Sequence, residues 1–192
     1  MRAGVPENKR TYSSIWDNNA IGTGHARSVI GSPQGWSAKT NAAGQWVQMD
    51  LGAERLVAGT VIQPRVGNSQ YVTQYTVTTS LDGKTWTSVA GTYTGHNSQL
   101  RENKFAGGAL VRARYVRIVV GKWGNHISLR ADVLVSAGDG NATSVPDMIG
   151  DENATSVSDM IGDGNATSVS DMIANGNTTV TTITLAGETG SD

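Results

Sequence analysis

Every aromatic residue of this chain, from Tyr12 to Trp123, and every lysine and arginine, from Arg2 to Arg130, lies before residue 137 of its 192. Aromatic side chains carry the largest apolar area a core can bury, so only the first two thirds of the chain is equipped to build one. Charge divides at the same point: fifteen cations and seven acids precede residue 137, a net +8, while nine acids and no cation follow it. The formal net charge of -1 therefore describes neither part. No run of about 18 apolar residues exists, which excludes a transmembrane helix. The polar, basic start from Met1 to Arg10 has no apolar stretch behind it, so no signal peptide is expected. The absence of cysteine excludes disulfides, thiolate metal ligation and cysteine catalysis.

Between residues 10 and 136, short alternating or β-branched runs are separated by Gly, Asn, Asp and Ser, the pattern of an all-β sandwich or barrel. Strands are expected at Gln45 to Leu51, Leu56 to Gln63, Val72 to Ser80, Trp86 to Val89, Arg114 to Val120 and Ile127 to Val135. Asp82-Gly83 between two of these runs supplies the positive φ of a tight hairpin. Residues 1–9 are set apart as an N-terminal segment. Trp46, Val47 and Met49 alternate with polar neighbours as a half-buried strand does, and Trp86 and Trp123 are large enough to anchor a core. Arg114, Arg117 and Arg130 are expected to make structural hydrogen bonds or ion pairs with carboxylates such as Asp50.

From residue 137 the chain repeats every twelve residues, beginning Gly138-Asp-Gly-Asn-Ala-Thr-Ser-Val-Pro-Asp-Met-Ile149 and returning at Gly150 and Gly162, with a degenerate fourth copy from Ala174. Each copy carries an Asn-X-Thr acceptor sequon, at Asn141, Asn153, Asn165 and Asn177. Few large apolar groups and abundant Gly, Ser, Asn and Asp favour a flexible acidic spacer. The regular Val and Met-Ile placement admits stacked units or self-assembly, and a glycosylated stalk is compatible with both. A calcium loop is not expected here, because Asp163-Gly-Asn-Ala-Thr167 is followed by Ser168 and Ala174 where an EF-hand needs Gly and Glu.

The body contains no HExxH, no Gly-x-Ser-x-Gly and no phosphate loop, and its three histidines stand singly, so no catalytic residues are expected. Its basic residues are spaced singly along the chain, which argues against a nucleic-acid groove. The ordered segments Ser13-Ser-Ile-Trp16, Gly35-Trp36, Gly44-Gln-Trp-Val-Gln-Met-Asp-Leu-Gly52, Tyr71-Val-Thr-Gln-Tyr-Thr-Val77, Ser80-Leu-Asp-Gly-Lys-Thr-Trp86, Ala113-Arg-Tyr-Val-Arg-Ile118 and Trp123-Gly-Asn-His-Ile-Ser-Leu-Arg130 are more specific. In this order they resemble the discoidin domain, also called the coagulation factor V/VIII type C domain, over about residues 10 to 136.

The resemblance implies a distorted jelly-roll β-sandwich carrying the repetitive acidic tail. It further implies a non-enzymatic, extracellular or cell-surface adhesion module whose ligands bind where loops surround a mouth at one end of the sandwich. Ile15 to Asn19 and Gln63 to Tyr71 correspond to two of those loops, with Pro64 where relatives often carry glycine before Arg65; Gly95-His96-Asn97 is expected to line the same mouth. Sugar binding needs an aromatic face and planar hydrogen-bonding groups. Trp16 or Tyr71 supplies the face, and Asp17, Asn18, Arg65, Asn68 and His96 supply the polar groups. Membrane lipid is disfavoured because Val66 is the only apolar residue at the second loop's tip, worth about 1 to 2 kcal/mol on burial. Protein surfaces remain possible partners. No cofactor is expected, although the sandwich loops leave room for calcium. The alternative reading is a structural protein whose tail assembles into a fibre decorated by the sandwich.

Overall fold

The computed structural model describes residues 1–67 and 69–137, together with the backbone of 172–174 and 177–179. In the first unit eight strands form an antiparallel sandwich: β1 (Arg10–Tyr12), β2 (Trp36–Ser37), β3 (Trp46–Gln63), β4 (Tyr71–Ser80), β5 (Thr87–Thr94), β6 (Arg101–Lys104), β7 (Val111–Gly124) and β8 (Ser128–Val135). Hydrogen-bonded order runs β2-β8-β3-β7-β4-β5, with β1 and β6 also paired to β3. The runs expected at Gln45 to Leu51 and Leu56 to Gln63 are one 18-residue strand. Its register against β7 shifts between Asp50 and Arg55, where Gly52 takes a φ of 81°. Its first half lies between β1 and β7 and its second half between β8 and β6. One strand thus serves both layers, and alternating side chains from each, such as Val47, Met49, Val116 and Ile118 against Ile62, Leu129 and Val133, close on one core.

β8 is buried at all eight positions although its sequence alternates polar and apolar. Residues 1–9, set apart by sequence, cover its second half. Ala3 N–H donates to Val133 O, Val135 N–H to Met1 O, and Asp132 accepts from the amides of Gly4 and Val5. Arg10, only 2% exposed, then donates to the carbonyls of Val5, Ser28 and Ala131. Of the polar residues of β8, Asp132 is satisfied by this covering segment, Ser128 by the Trp36 carbonyl, and Arg130 by the carbonyls of Pro64 and Ser32.

The hairpin expected at Asp82-Gly83 joins β4 to β5, with Gly83 at φ 74°. Asp82 Oδ1 accepts from the Lys84 and Thr85 amides, both at 2.8 Å, and from Ser80 Oγ at 2.9 Å. These bonds, the amides foremost, hold its carboxyl well below the usual range. Arg114 does the same for Asp50 through Nε at 2.9 Å and Nη2 at 3.2 Å, aided by the Gly52 amide. A carboxyl depressed in the folded state stabilises it above the unfolded value of about 3.9 and loses that contribution as pH falls through the folded value. The melting temperature is therefore expected to drop below about pH 4. The drop should be shallower in a double variant, Asp50→Asn with Asp82→Asn, measured by circular dichroism between pH 6 and 2.

Arg114 alone of the three arginines meets a carboxylate. Arg117 donates to Gln48 Oε1 and lies between the rings of Trp46 and Trp86, 4.2 and 3.7 Å from their centroids. Trp86 and Trp46 therefore pack half-buried around a guanidinium on the sheet's outer side, not in the core, while Trp123 packs against the core from its margin. Arg130 donates to the carbonyls of Pro64 and Ser32.

In the second unit, Met172–Ala174 (β9) and Asn177–Thr179 (β10) form an antiparallel pair. Apart from these strands the twelve-residue repeats, with sequons Asn141, Asn153 and Asn165, lie outside the described residues; Asn177 opens β10. Among the described residues no helix is long and apolar enough to cross a membrane, and no group of three or more His, Cys, Asp or Glu could hold a metal ion.

Candidate functional site

Three connections converge at one end of the sandwich: the turn Trp16–Asn18, residues 64–67 and 69–70 between β3 and β4, and residues 125–127 between β7 and β8. With Ser37 of β2 they enclose a cleft of about 200 Å³ lined by Trp16, His25, Ser37, Arg65, Gln70 and His126.

Each side chain is fixed by its own local chemistry. Asp17 and Asn18 take φ values of 56° and 49°, left-handed conformations that Asp and Asn adopt at lower cost than most residues. That tight turn leaves Trp16 44% exposed, its ring edge-to-face with His126 at 5.3 Å. Arg65 donates through Nε to Gln34 Oε1 at 2.5 Å and through Nη1 to Gln70 Oε1 at 2.8 Å, so its plane is set before any ligand arrives. Arg130 grips the Pro64 carbonyl beside it at 2.6 and 3.0 Å. A Cβ on Gly35 would come within 3.2 Å of the Arg65 Cβ, so glycine there lets the loop approach. The His126 turn is pinned by Asn41, which accepts from the Ile127 amide at 2.8 Å, and by Asn125, which donates to Ser69 O at 2.8 Å.

His25 N–H donates to Asn19 Oδ1 at 2.8 Å, and its Nδ1 pairs with Ser37 Oγ at 3.3 Å. Burial holds its imidazole below the ordinary value, and Arg65 and His126 add to the effect while Asp17 opposes it. At neutral pH it is an uncharged ring beside a fixed guanidinium.

Of the residues expected from sequence, Trp16 and Arg65 line the cleft. Asp17 shapes the turn and acts on His25 through its charge, and Asn18 accepts from Lys39 Nζ at 3.4 Å. Tyr71 starts β4 with its ring against Gly124 and does not line the cleft. His96 does not line it either: its Nδ1 accepts from the Ser98 and Gln99 amides, each at 3.2 Å, within its own loop. Asn68 lies outside the described residues. Sequence reasoning missed His25, Ser37, Gln70 and His126, because a histidine standing alone in the chain carries no signal of a partner 40 or 100 positions away. Counting a single apolar tip also fell short. Trp16 (44% exposed) and Val66 (49%) both project from the loops that build this end.

Residues 9–133 match the family model for the F5/8 type C domain. Lactadherin of Bos taurus is 36% identical over 110 residues, which cover 52% of this chain and 25% of lactadherin, so the likeness spans about a quarter of that relative. Among solved structures, discoidin II of Dictyostelium discoideum superposes with a TM-score of 0.54 at 18% identity, covering 70% of this chain and 57% of that one. The family 32 carbohydrate-binding module of C. perfringens NanJ, solved with galactose, gives a TM-score of 0.52 at 21% identity, covering 69% and 98%. Likeness at these identities establishes the fold, and the family match over most of the sandwich establishes the lineage. By both its residues and its architecture, the chain belongs to the F5/8 type C domain family.

Proposed function

We propose that this domain is a non-catalytic recognition module that binds carbohydrate in the cleft between Trp16, His25, Arg65 and His126. The observation that carries the reading is the juxtaposition of a half-exposed indole, a guanidinium held by Gln34 and Gln70, and a neutral imidazole. An indole face covers the apolar side of a pyranose, while arginine and histidine pair with adjacent ring oxygens. The fold neighbour solved with galactose supports the same ligand class. The module works outside the cell or at its surface, where the sequons of the acidic tail would be glycosylated.

A glycan array probed with wild type and Arg65→Ala tests this. Hydrogen bonds from a charged donor contribute about 1.5–3 kcal/mol, so Arg65→Ala is expected to weaken binding by roughly tenfold or more. No glycan binding by wild type, or unchanged binding by the variant, would remove the proposal.

Docking to a lipid surface is the second reading, favoured by two exposed apolar side chains at the cleft end, Trp16 and Val66. At roughly 1.5–3 kcal/mol for each fully buried large apolar side chain, two tips supply about 3 kcal/mol or more where valine alone supplies 1 to 2. Phosphatidylserine vesicles added alongside the array separate the two: retention of wild type but not of Trp16→Ala with Val66→Ser would favour lipid.

A further inference from the structure

A hydroxyl group carries one proton, and this settles how the histidine of the cleft is protonated. Ser128 Oγ donates to the Trp36 carbonyl at 2.7 Å, an oxygen that can only accept. Its proton is thereby committed, so Ser37 Oγ must be the donor across the 3.1 Å to Ser128 Oγ. With that proton committed in turn, Ser37 can only accept from His25 Nδ1 at 3.3 Å. Ser37 and Ser128 are a register pair between β2 and β8, 2% and 0% exposed, so bulk water does not reach them as an alternative partner. The Ser37 amide also donates to the His25 carbonyl at 3.1 Å, which keeps the two residues in register.

We propose that Ser37 and Ser128 are positioning residues that hold His25 as its Nδ1–H tautomer, so that Nε2 accepts from a ligand hydroxyl while Arg65 donates to a neighbouring ligand oxygen. This rests on the saccharide reading of the cleft and narrows it. The ligand must present a hydrogen-bond donor at His25, which a sugar hydroxyl does and a carboxylate, ether or fluorine does not. The charged and titratable groups acting on His25 are Arg65, His126 and Asp17, and their balance with burial keeps the ring neutral near pH 7. Protonation at lower pH turns Nε2 into a donor and reverses the requirement.

The first test needs no ligand. Ring-nitrogen NMR of the full chain at pH 7.5 should show His25 protonated at Nδ1 and bare at Nε2. The Nε2–H form should appear in Ser37→Ala and be suppressed again in Ser37→Thr, which restores the hydroxyl. An Nε2–H wild type, or no change in Ser37→Ala, overturns the assignment. Melting curves of each variant establish that the sandwich is folded. The second test uses methyl β-galactoside and its monodeoxyfluoro analogues, whose fluorine cannot donate. One analogue should bind wild type about tenfold more weakly at pH 7.5, the loss of one neutral hydrogen bond. That gap should narrow to about threefold or less in Ser37→Ala and at a pH low enough to protonate His25. Equal binding of every analogue overturns the inference and leaves the saccharide reading standing. Failure of the galactoside to bind alongside an observed Nδ1–H tautomer removes the galactoside reading and supports the tautomer.

Discussion

Trp36→Ala is expected to destabilise the sandwich by about 3–5 kcal/mol, a large part of the total for a domain of this size. Trp36 is fully buried, the largest of the fully buried side chains, and stacks on Tyr12 with centroids 5.5 Å apart and planes 17° from parallel. Alanine would leave a cavity between β2 and the turn that leads to Trp16. It would also strip the Ser14 carbonyl of the indole N–H it accepts at 2.8 Å. Trp36→Phe keeps most of the ring volume but loses that bond and part of the packing, so a smaller cost of about 1–2 kcal/mol is expected. Urea unfolding of the three proteins measures both, and a loss below about 1 kcal/mol for alanine would contradict the packing. Because Trp36 also supplies the carbonyl at the end of the Ser128, Ser37 and His25 chain, the alanine variant should disturb the cleft as well as the core.

Arg10→Met should cost about 3 kcal/mol or more, for a different reason. The guanidinium ties together three segments distant in sequence, through Val5 O at 2.7 and 3.1 Å, Ser28 O and Oγ at 3.1 Å each, and Ala131 O at 2.8 Å. Methionine fills similar space but takes the guanidinium donors from the buried Val5 and Ala131 carbonyls, each costing about 1–3 kcal/mol if unreplaced, while Ser28 O keeps the Ala131 amide. Burial lowers the Arg10 pKa, and the carboxylates of Glu7 and Asp132 oppose this through their charge, so the cation is accommodated without a direct ion pair. Arg10→Lys presents a point charge where a planar fork is needed and is expected to recover less than half of the loss. The readout is the same urea midpoint, with proteolysis of residues 1–9 as a second measure. Both should be unchanged if the covering segment were held by backbone pairing alone.

The sandwich was legible because strand-forming residues alternate and turns carry Gly, Asn and Asp, signals that act over a few positions. Asp82-Gly83 is the clearest case, since the φ it needs is a property of those two residues. β1, β2 and β6 were missed: they span three, two and four residues and exist only because β3 and β8 offer them an edge. Arg130 was read as a structural arginine, but its partners are carbonyls 66 and 98 positions away, which no local pattern encodes.

The candidate site divides the same way. Trp16 and Arg65 could be named because the discoidin resemblance aligns Ile15 to Asn19 and Gln63 to Tyr71 with the loops around the family's mouth. His25, Ser37 and His126 could not, because their chemistry arises where β2, β8 and the Trp16 turn meet, and Tyr71 and His96 were misplaced because their rings settle against Gly124 and neighbouring amides. By itself the sequence determined where a core could form, the strand-rich class of the body and the division of charge at residue 137. Only the tertiary structure decided which polar groups share a cleft and which hydroxyl stands beside Nδ1 of His25. Backbone preference and hydrophobic period are local quantities, whereas a hydrogen-bond chain exists only once distant strands are in register.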